Sequence, residues 1–236
     1  MAKTVFKRKI YDQMLQWKRK SDGKTALLIE GAKRIGKSTI VEEFAKREYE
    51  SYLLIDFNRA SSAIKNLFND LMNLDFIFLT LQTTYNKTLK KRKSLIVFDE
   101  VQKCPLARQA IKYLVQDGRY DYIETGSLIS IKSNTKDITI PSEEERIEMR
   151  PMDYEEFLWA TGDNASYHLI KKFYETGKPL GQQTNRKLLR NFRLYMLVGG
   201  MPQAVEEYSK TNNFKNVDLV KRDILNLYED DFVKID

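Results

Sequence analysis

A chain of 236 residues with one cysteine, Cys104, and one histidine, His168, holds little of the chemistry those residue types supply. A single thiol excludes an internal disulfide and any multi-cysteine zinc site. Neither residue has a partner at the spacing of a metal site or a nucleophilic dyad, so both read as structural. Long hydrophobic runs are missing too: stretches such as Phe76 to Leu79 fall far short of the ~20 apolar residues of a membrane span. The opening M-A-K-T-V-F-K-R-K-I lacks the apolar core of a secretory leader, so the expected setting is cytoplasmic, with no membrane attachment. No internal repeat or low-complexity segment interrupts the chain.

What is present is charge and ordinary core material. The hydrophobic fraction of 42% and charged fraction of 31% are those of a globular chain, long enough for one large α/β domain or a core domain with an appendage. The net charge of +7 permits a nucleic-acid partner without requiring one. Its basic clusters, Lys3 to Lys9, Lys18 to Lys20 and Lys87 to Lys93, read either as solvated faces or as a phosphate-backbone footprint.

One stretch carries specific chemistry. Residues 31 to 38, G-A-K-R-I-G-K-S, match the phosphate-loop pattern G-x-x-x-x-G-K-[ST] without a mismatch. Gly31 and Gly36 allow the backbone to bend so that successive N–H groups point at one anion, which a Cβ would hinder. The loop residues Ala32, Lys33, Arg34 and Ile35, with Thr39 behind them, form the rest of the cradle. Lys37 reaches the β- and γ-phosphates, and the Ser38 hydroxyl suits Mg²⁺. The context fits: T-A-L-L-I-E reads as a buried strand before the loop, and Ser38 to Arg47 has helical periodicity after it. The helix N-terminus then faces the phosphates. A nucleoside triphosphate site is implied.

The remaining pattern alternates strand and helix. Phe6 to Lys20 reads as an amphipathic helix, Tyr52 to Asp56 as a strand, and Ser61 or Ser62 as the cap of a helix reaching about Asn73. Residues 74 to 86 fit a buried helix or a strand, and helix is preferred. Ser94 to Phe98 is a strand, Pro105 opens a helix that Gly118 ends, and Tyr120 to Glu124 is the next strand. An irregular loop is expected over 131 to 145 and a last strand over Arg146 to Arg150. Beyond Pro151 the pattern turns wholly helical, starting at a capping box of Asp153 and Glu156 and continuing near 165–176, 184–197, 202–210 and 214–235. The expected division is a core over 1–150 and a helical domain over 151–236.

The strand L-I-V-F ends in Asp99 and Glu100, and such a pair partners a phosphate loop. Asp99 would hold the Mg²⁺ and Glu100 would polarise the attacking water, since neighbours at a strand end point different ways. Thr125 and Ser127 stand where a hydroxyl would sense the γ-phosphate, with Thr125 the candidate chosen; alternatively Thr125-Gly126-Ser127 caps a following helix.

Together these residues resemble a family: the bacterial and archaeal AAA-type ATPases with a C-terminal domain of unknown function. The resemblance rests on R-K-I-Y-D-Q-M-L-Q-W-K, G-A-K-R-I-G-K-S, F-D-E-V-Q-K-C-P, D-Y-I-E-T-G-S, R-P-M-D-Y-E-E-F-L-W-A and V-G-G-M-P-Q-A-V, and covers nearly the whole chain. It implies a three-layer α/β P-loop sheet of order 5-1-4-3-2, ATP as ligand, and a small helical lid in which the Gly199-Gly200-Pro202 turn lies near the nucleotide. Arg190 and Arg193 are candidate lid arginines. Such proteins usually continue further, so the effector part is expected to be missing here. They also often carry Gly-Arg where this chain has Glu143 to Glu145, which leaves Arg146 and Arg150 unassigned as arginine fingers.

The function expected is ATP hydrolysis coupled to the helical part. The alternatives are a non-hydrolysing nucleotide switch or scaffold, and a P-loop kinase. Expected partners are ATP and, from the charge alone, nucleic acid; a homo-oligomer is compatible with the family.

Overall fold

Alternating short strands and helices between residues 26 and 148 build one parallel sheet. The computed structural model describes residues 4–127 and 139–232, and they divide into two compact units: Ile10–Met149, and the described residues of 1–9 and 150–236.

In the first unit the strands are β1 (Ala26–Gly31), β2 (Ser51–Asp56), β3 (Ser94–Asp99), β4 (Asp121–Ser127) and β5 (Glu144–Glu148). Their spatial order is β2-β3-β4-β1-β5, the expected 5-1-4-3-2 sheet. Helix α1 (Ile10–Ser21) precedes them, and between them run α2 (Lys37–Glu48), α3 (Ser62–Asn66), α4 (Leu74–Tyr85) and α5 (Pro105–Asp117). Side chains alternate across the strands. Ala26, Leu28, Leu53, Ile55, Ile96, Phe98 and Tyr122 face α3, α4 and α5 in one continuous core. On the other face α1 and α2 cover the sheet, burying Met14, Trp17, Val41 and Phe44. This is the three-layer arrangement that a parallel sheet requires, because both faces are apolar.

The ambiguous stretch at 74 is helical. Asn73 accepts from the Phe76 amide as its N-cap, and Asn86 in the left-handed region ends it. The helix expected from Ser61 to Asn73 is shorter. Ser61 caps it, but α3 tightens into a 3₁₀ turn at Leu67–Asn69 and stops, because Asp70 and Asn73 make local side-chain bonds to backbone that compete with helix. The first helix starts at Ile10 rather than Phe6. Arg8 and Lys9 are engaged outside it: Arg8 donates to Arg150 O at 2.6 Å and pairs with Glu156 at 3.2 Å, and the Lys9 amide donates to Glu156 at 2.7 Å. β4 runs on to Ser127, so Thr125, Gly126 and Ser127 lie inside the strand rather than in a cap after it. β5 sits two residues earlier than expected, since its register against β1 pairs Ala26 with Glu144 and Glu30 with Glu148. The expected irregular loop lies outside the described residues over 131–138; its last residues, Glu144 and Glu145, belong to β5.

The second unit is helical: α6 (Tyr154–Ala160), α7 (Ser166–Thr176), α8 (Gln182–Val198), α9 (Pro202–Thr211) and α10 (Phe214–Phe232). The Asp153–Glu156 capping box forms as expected. Its core gathers Met152, Phe157, Val198, Ala204, Val205 and Val217, with Phe6 packed against them. Gly200 is required by contact: a Cβ there would lie 2.1 Å from Met152 O, while the Met152 amide donates to Gly200 O at 2.7 Å. No described helix is long and apolar enough to cross a membrane.

In the sheet core the fully buried Phe57 ring sits 6.0 Å from Phe68 and 5.5 Å from Phe98. Phe57→Ala should therefore lower stability by about 3–5 kcal/mol in urea unfolding. A loss below about 1 kcal/mol would show that the ring does not anchor this core.

Candidate functional site

Parallel pairing brings the carboxyl ends of β1, β3 and β4 to one edge of the sheet. Ile29 is opposite Thr125 and Gly31 opposite Ser127, while Phe98 is opposite Glu124, so Asp99 and Thr125 follow side by side. The loop between β1 and α2 opens at the same edge.

The two loop glycines serve different ends. Gly36 is the N-cap of α2 at φ 95°, a conformation that costs an L side chain energy, and it turns the chain into the helix. Arg34 is also left-handed, at φ 63°. Gly31 has no such φ; it is small because a Cβ would lie 2.2 Å from Met149 O and 2.8 Å from the Ile35 side chain. Of the two glycines expected to bend the loop, Gly36 alone takes the left-handed turn, and close approach of the chain after β5 is what demands glycine at 31. Ile35 is fully buried and pins the loop from beneath.

Lys37 opens α2 and is 4% exposed. Its Nζ donates to Gly31 O at 3.0 Å and Ala32 O at 2.8 Å, so the loop's own carbonyls fix the ammonium. Burial lowers its pKa, and the nearby Glu100 and Asp99 carboxylates work against that shift. One residue on, Ser38 Oγ donates to Asp99 Oδ1 at 2.8 Å. Thr125 Oγ1 donates to the same oxygen, inside a buried environment. Thr125 Oγ1 also accepts the Glu100 amide at 3.2 Å. Lys37, Ser38, Asp99, Glu100 and Thr125, separated by up to 88 positions (125 − 37), are thus gathered at one point.

Glu100 does not simply continue the strand, as strand alternation would have it. It sits at φ 56° in the left-handed region, a conformation that costs a non-glycine residue about 1 kcal/mol or more. The Thr125 hydroxyl on its amide and the Gln102 amide, which donates to Glu100 Oε2 at 2.6 Å, hold it there. Gln102 has no role assigned from sequence; its signals are its place two residues after the acid and its presence in the F-D-E-V-Q-K-C-P motif. Lys33, Gly36 and Thr39 complete the loop and the first turn of α2, and Ser127 is buried across from Gly31. Arg190 and Arg193 are exposed on α8 of the other unit. Among the described residues no three His, Cys, Asp or Glu side chains gather as a metal cage.

The family model for the AAA domain matches residues 23–158, more than half of the chain and spanning the loop, both acids and Thr125. The chain belongs to the AAA domain family. A second match, to a domain of unknown function, covers residues 189–236, within the 151–236 region expected to be helical. No curated protein matches in sequence. Among solved structures, the Walker-type ATPase PABY2304 of Pyrococcus abyssi is similar over 98% of this chain and 76% of its own, with TM-score 0.53 and 17% identity. PCH-2 of C. elegans is similar over 95% of this chain and 69% of its own, with TM-score 0.46 and 11% identity. The first supports the P-loop sheet as the fold of this AAA domain; the second is too distant to argue from.

The clustered cations of the Ile10–Met149 unit are mostly engaged within it. Lys90 and Lys93 pair with Glu50 at 2.8 and 2.6 Å, and Arg92 bridges Asp22 and Asp121 at 3.2 and 3.0 Å. Lys18 lies over the Tyr49 ring and Lys20 pairs with Glu145 at 3.4 Å.

Because the atom facing Gly31 is backbone, Gly31→Ala should cost about 1–3 kcal/mol. Thermal unfolding checks this, and unchanged stability would mean that the chain at Met149 can back away.

Proposed function

We propose that this protein binds and hydrolyses ATP, using Lys37, Ser38, Asp99, Glu100 and Thr125. The observation that carries the reading is the meeting of the Ser38 and Thr125 hydroxyls on one Asp99 oxygen, beside a lysine held inside the phosphate loop. Residues from Gly31 to Thr39 cradle the phosphates with backbone N–H groups at the start of α2, where the helix dipole favours an anion. The Lys37 ammonium, whose charge burial disfavours, gains most from a polyphosphate placed against it.

Ser38 and Asp99 offer a hydroxyl and a carboxylate 2.8 Å apart, hard oxygen donors of the kind Mg²⁺ takes. With no three-carboxylate cage among the described residues, they would hold the ion together with the phosphates rather than alone. The ion, when bound, supplies charge neutralisation at the transferred phosphate. Glu100, oriented by Gln102, polarises the water, and Thr125 reads the γ-phosphate while fixing the Glu100 amide. A water-directing carboxylate favours hydrolysis over transfer to an acceptor, so the kinase reading is weaker.

Residues 150–236 are the part that responds to nucleotide. The link is covalent: Met149, which borders Gly31, is the last residue before them. No observation favours nucleic acid, because the clustered cations of the core are taken up internally.

Glu100→Gln should retain ATP affinity while phosphate release falls about 100-fold or more. Lys37→Ala should lose the affinity itself. Titration of a fluorescent ATP analogue and a phosphate-release assay measure the two separately; unchanged release in Glu100→Gln would favour the non-hydrolysing switch.

A further inference from the structure

On the sheet face opposite the candidate site, Glu124 is completely buried, and neither of its carboxyl oxygens has a hydrogen-bond partner among the described residues. The group it faces is another acid, Glu144 on β5. β1 separates the two strands, with Leu28 opposite Glu124 and Ala26 opposite Glu144. Glu144 has no exposed side-chain surface and is already engaged: Arg108 of α5 grips it in a bidentate pair at 2.8 Å to each oxygen, and Arg146 adds a third contact at 2.8 Å. Among the described residues, the charged groups that act on Glu124 are Glu144 and Arg146 on β5 and Arg108 on α5, and Glu30 on β1 acts in turn on Arg108.

Two ionised carboxylates can only accept, so they cannot bond to each other. One proton converts the pair into an O–H···O⁻ hydrogen bond, among the stronger kinds. We propose that Glu124 is a positioning residue, a carboxylic acid that donates its proton to Glu144, ties β4 to β5 across β1, and so holds the next residue, Thr125, against Asp99. Burial first, and the Glu144 carboxylate second, push the Glu124 pKa well above the ordinary carboxylate value, with Arg108 opposing. The positioning claim rests on the ATPase reading of Thr125; the proton itself does not.

The sign follows from linkage. A folded-state pKa raised above the unfolded value gives stability that is complete below the unfolded pKa, near 4.3 for Glu, and is lost as pH rises toward the folded value. Glutamine is a neutral donor of the same shape. Relative to Glu124→Gln, the wild-type unfolding equilibrium constant should therefore rise by up to about tenfold per pH unit above that range.

Three readouts on the full chain test this. Denaturant unfolding from pH 5 to 8 reads the proton: parallel profiles for wild type and Glu124→Gln would overturn it. Hydrogen exchange of the Glu100 amide, which bonds to Thr125 Oγ1, reads the position without any turnover. Protection should persist in Glu124→Gln and fall in Glu124→Leu; equal protection in both would overturn the positioning role. Turnover should follow, with kcat about tenfold lower in Glu124→Leu at unchanged KM for ATP and near wild type in Glu124→Gln. A wild type that releases no phosphate would sink the ATPase reading while the first two readouts still decide this proposal.

Discussion

The shared acceptor at Asp99 is the contact on which the candidate site depends. Its Oδ1 takes the Ser38 hydroxyl from the first turn of α2 and the Thr125 hydroxyl from β4, so three elements are referenced to one atom. That geometry needs the strand register. A slip of one residue would turn Thr125 to the α5 side of the sheet and present Glu124 to Asp99 in its place. It also needs the helix start. Gly36 in the left-handed region turns the chain so that Lys37 and Ser38 enter α2 at the sheet edge. A hydrogen bond of this kind is worth about 1–3 kcal/mol when one partner is charged, too little to hold the fold. Its importance is in position.

The capping box at Asp153 and the preference for helix at 74–85 were legible because each has a local cause, a side chain within four residues or an apolar pattern, whereas the sheet order followed from the family resemblance and not from periodicity. The misplacements have distant causes. The first helix starts late because Arg8 and Lys9 bond to the 150–156 segment, more than 140 residues away. β5 starts early because pairing with β1, rather than its own weak alternation, sets where it begins. The need for glycine at 31 is not legible locally, since nothing near it in sequence reveals Met149 O. Glu100 and Thr125 were both visible as candidates, yet the bond between them, and Gln102 as a second support, depend on a left-handed turn that no propensity indicates.

Net charge was the least informative quantity. An excess of +7 permits an anionic partner but does not say where on the surface it would sit. Glu50 alone absorbs Lys90 and Lys93, and its carboxyl pKa drops to about 2 because it accepts from both. Such exposed pairs contribute little to stability and are screened by salt. They still compete with phosphate for the same cations, which weakens a nucleic-acid footprint on this loop.

β4 carries opposite chemistry on its two faces one residue apart. Thr125 turns toward Asp99 and Glu124 toward Glu144, and a strand cannot rotate one without displacing the other. A sheet that needed only a core would place an apolar residue at 124, as it does at Ile123, because burying an acid with no bonded partner costs stability. A single buried polar pairing is poor cement but specific about register, since a slipped strand leaves it unsatisfied. Register is what the candidate site requires. The acid beneath the sheet and the hydroxyl above it are therefore two ends of one constraint, with the strand backbone as the lever between them.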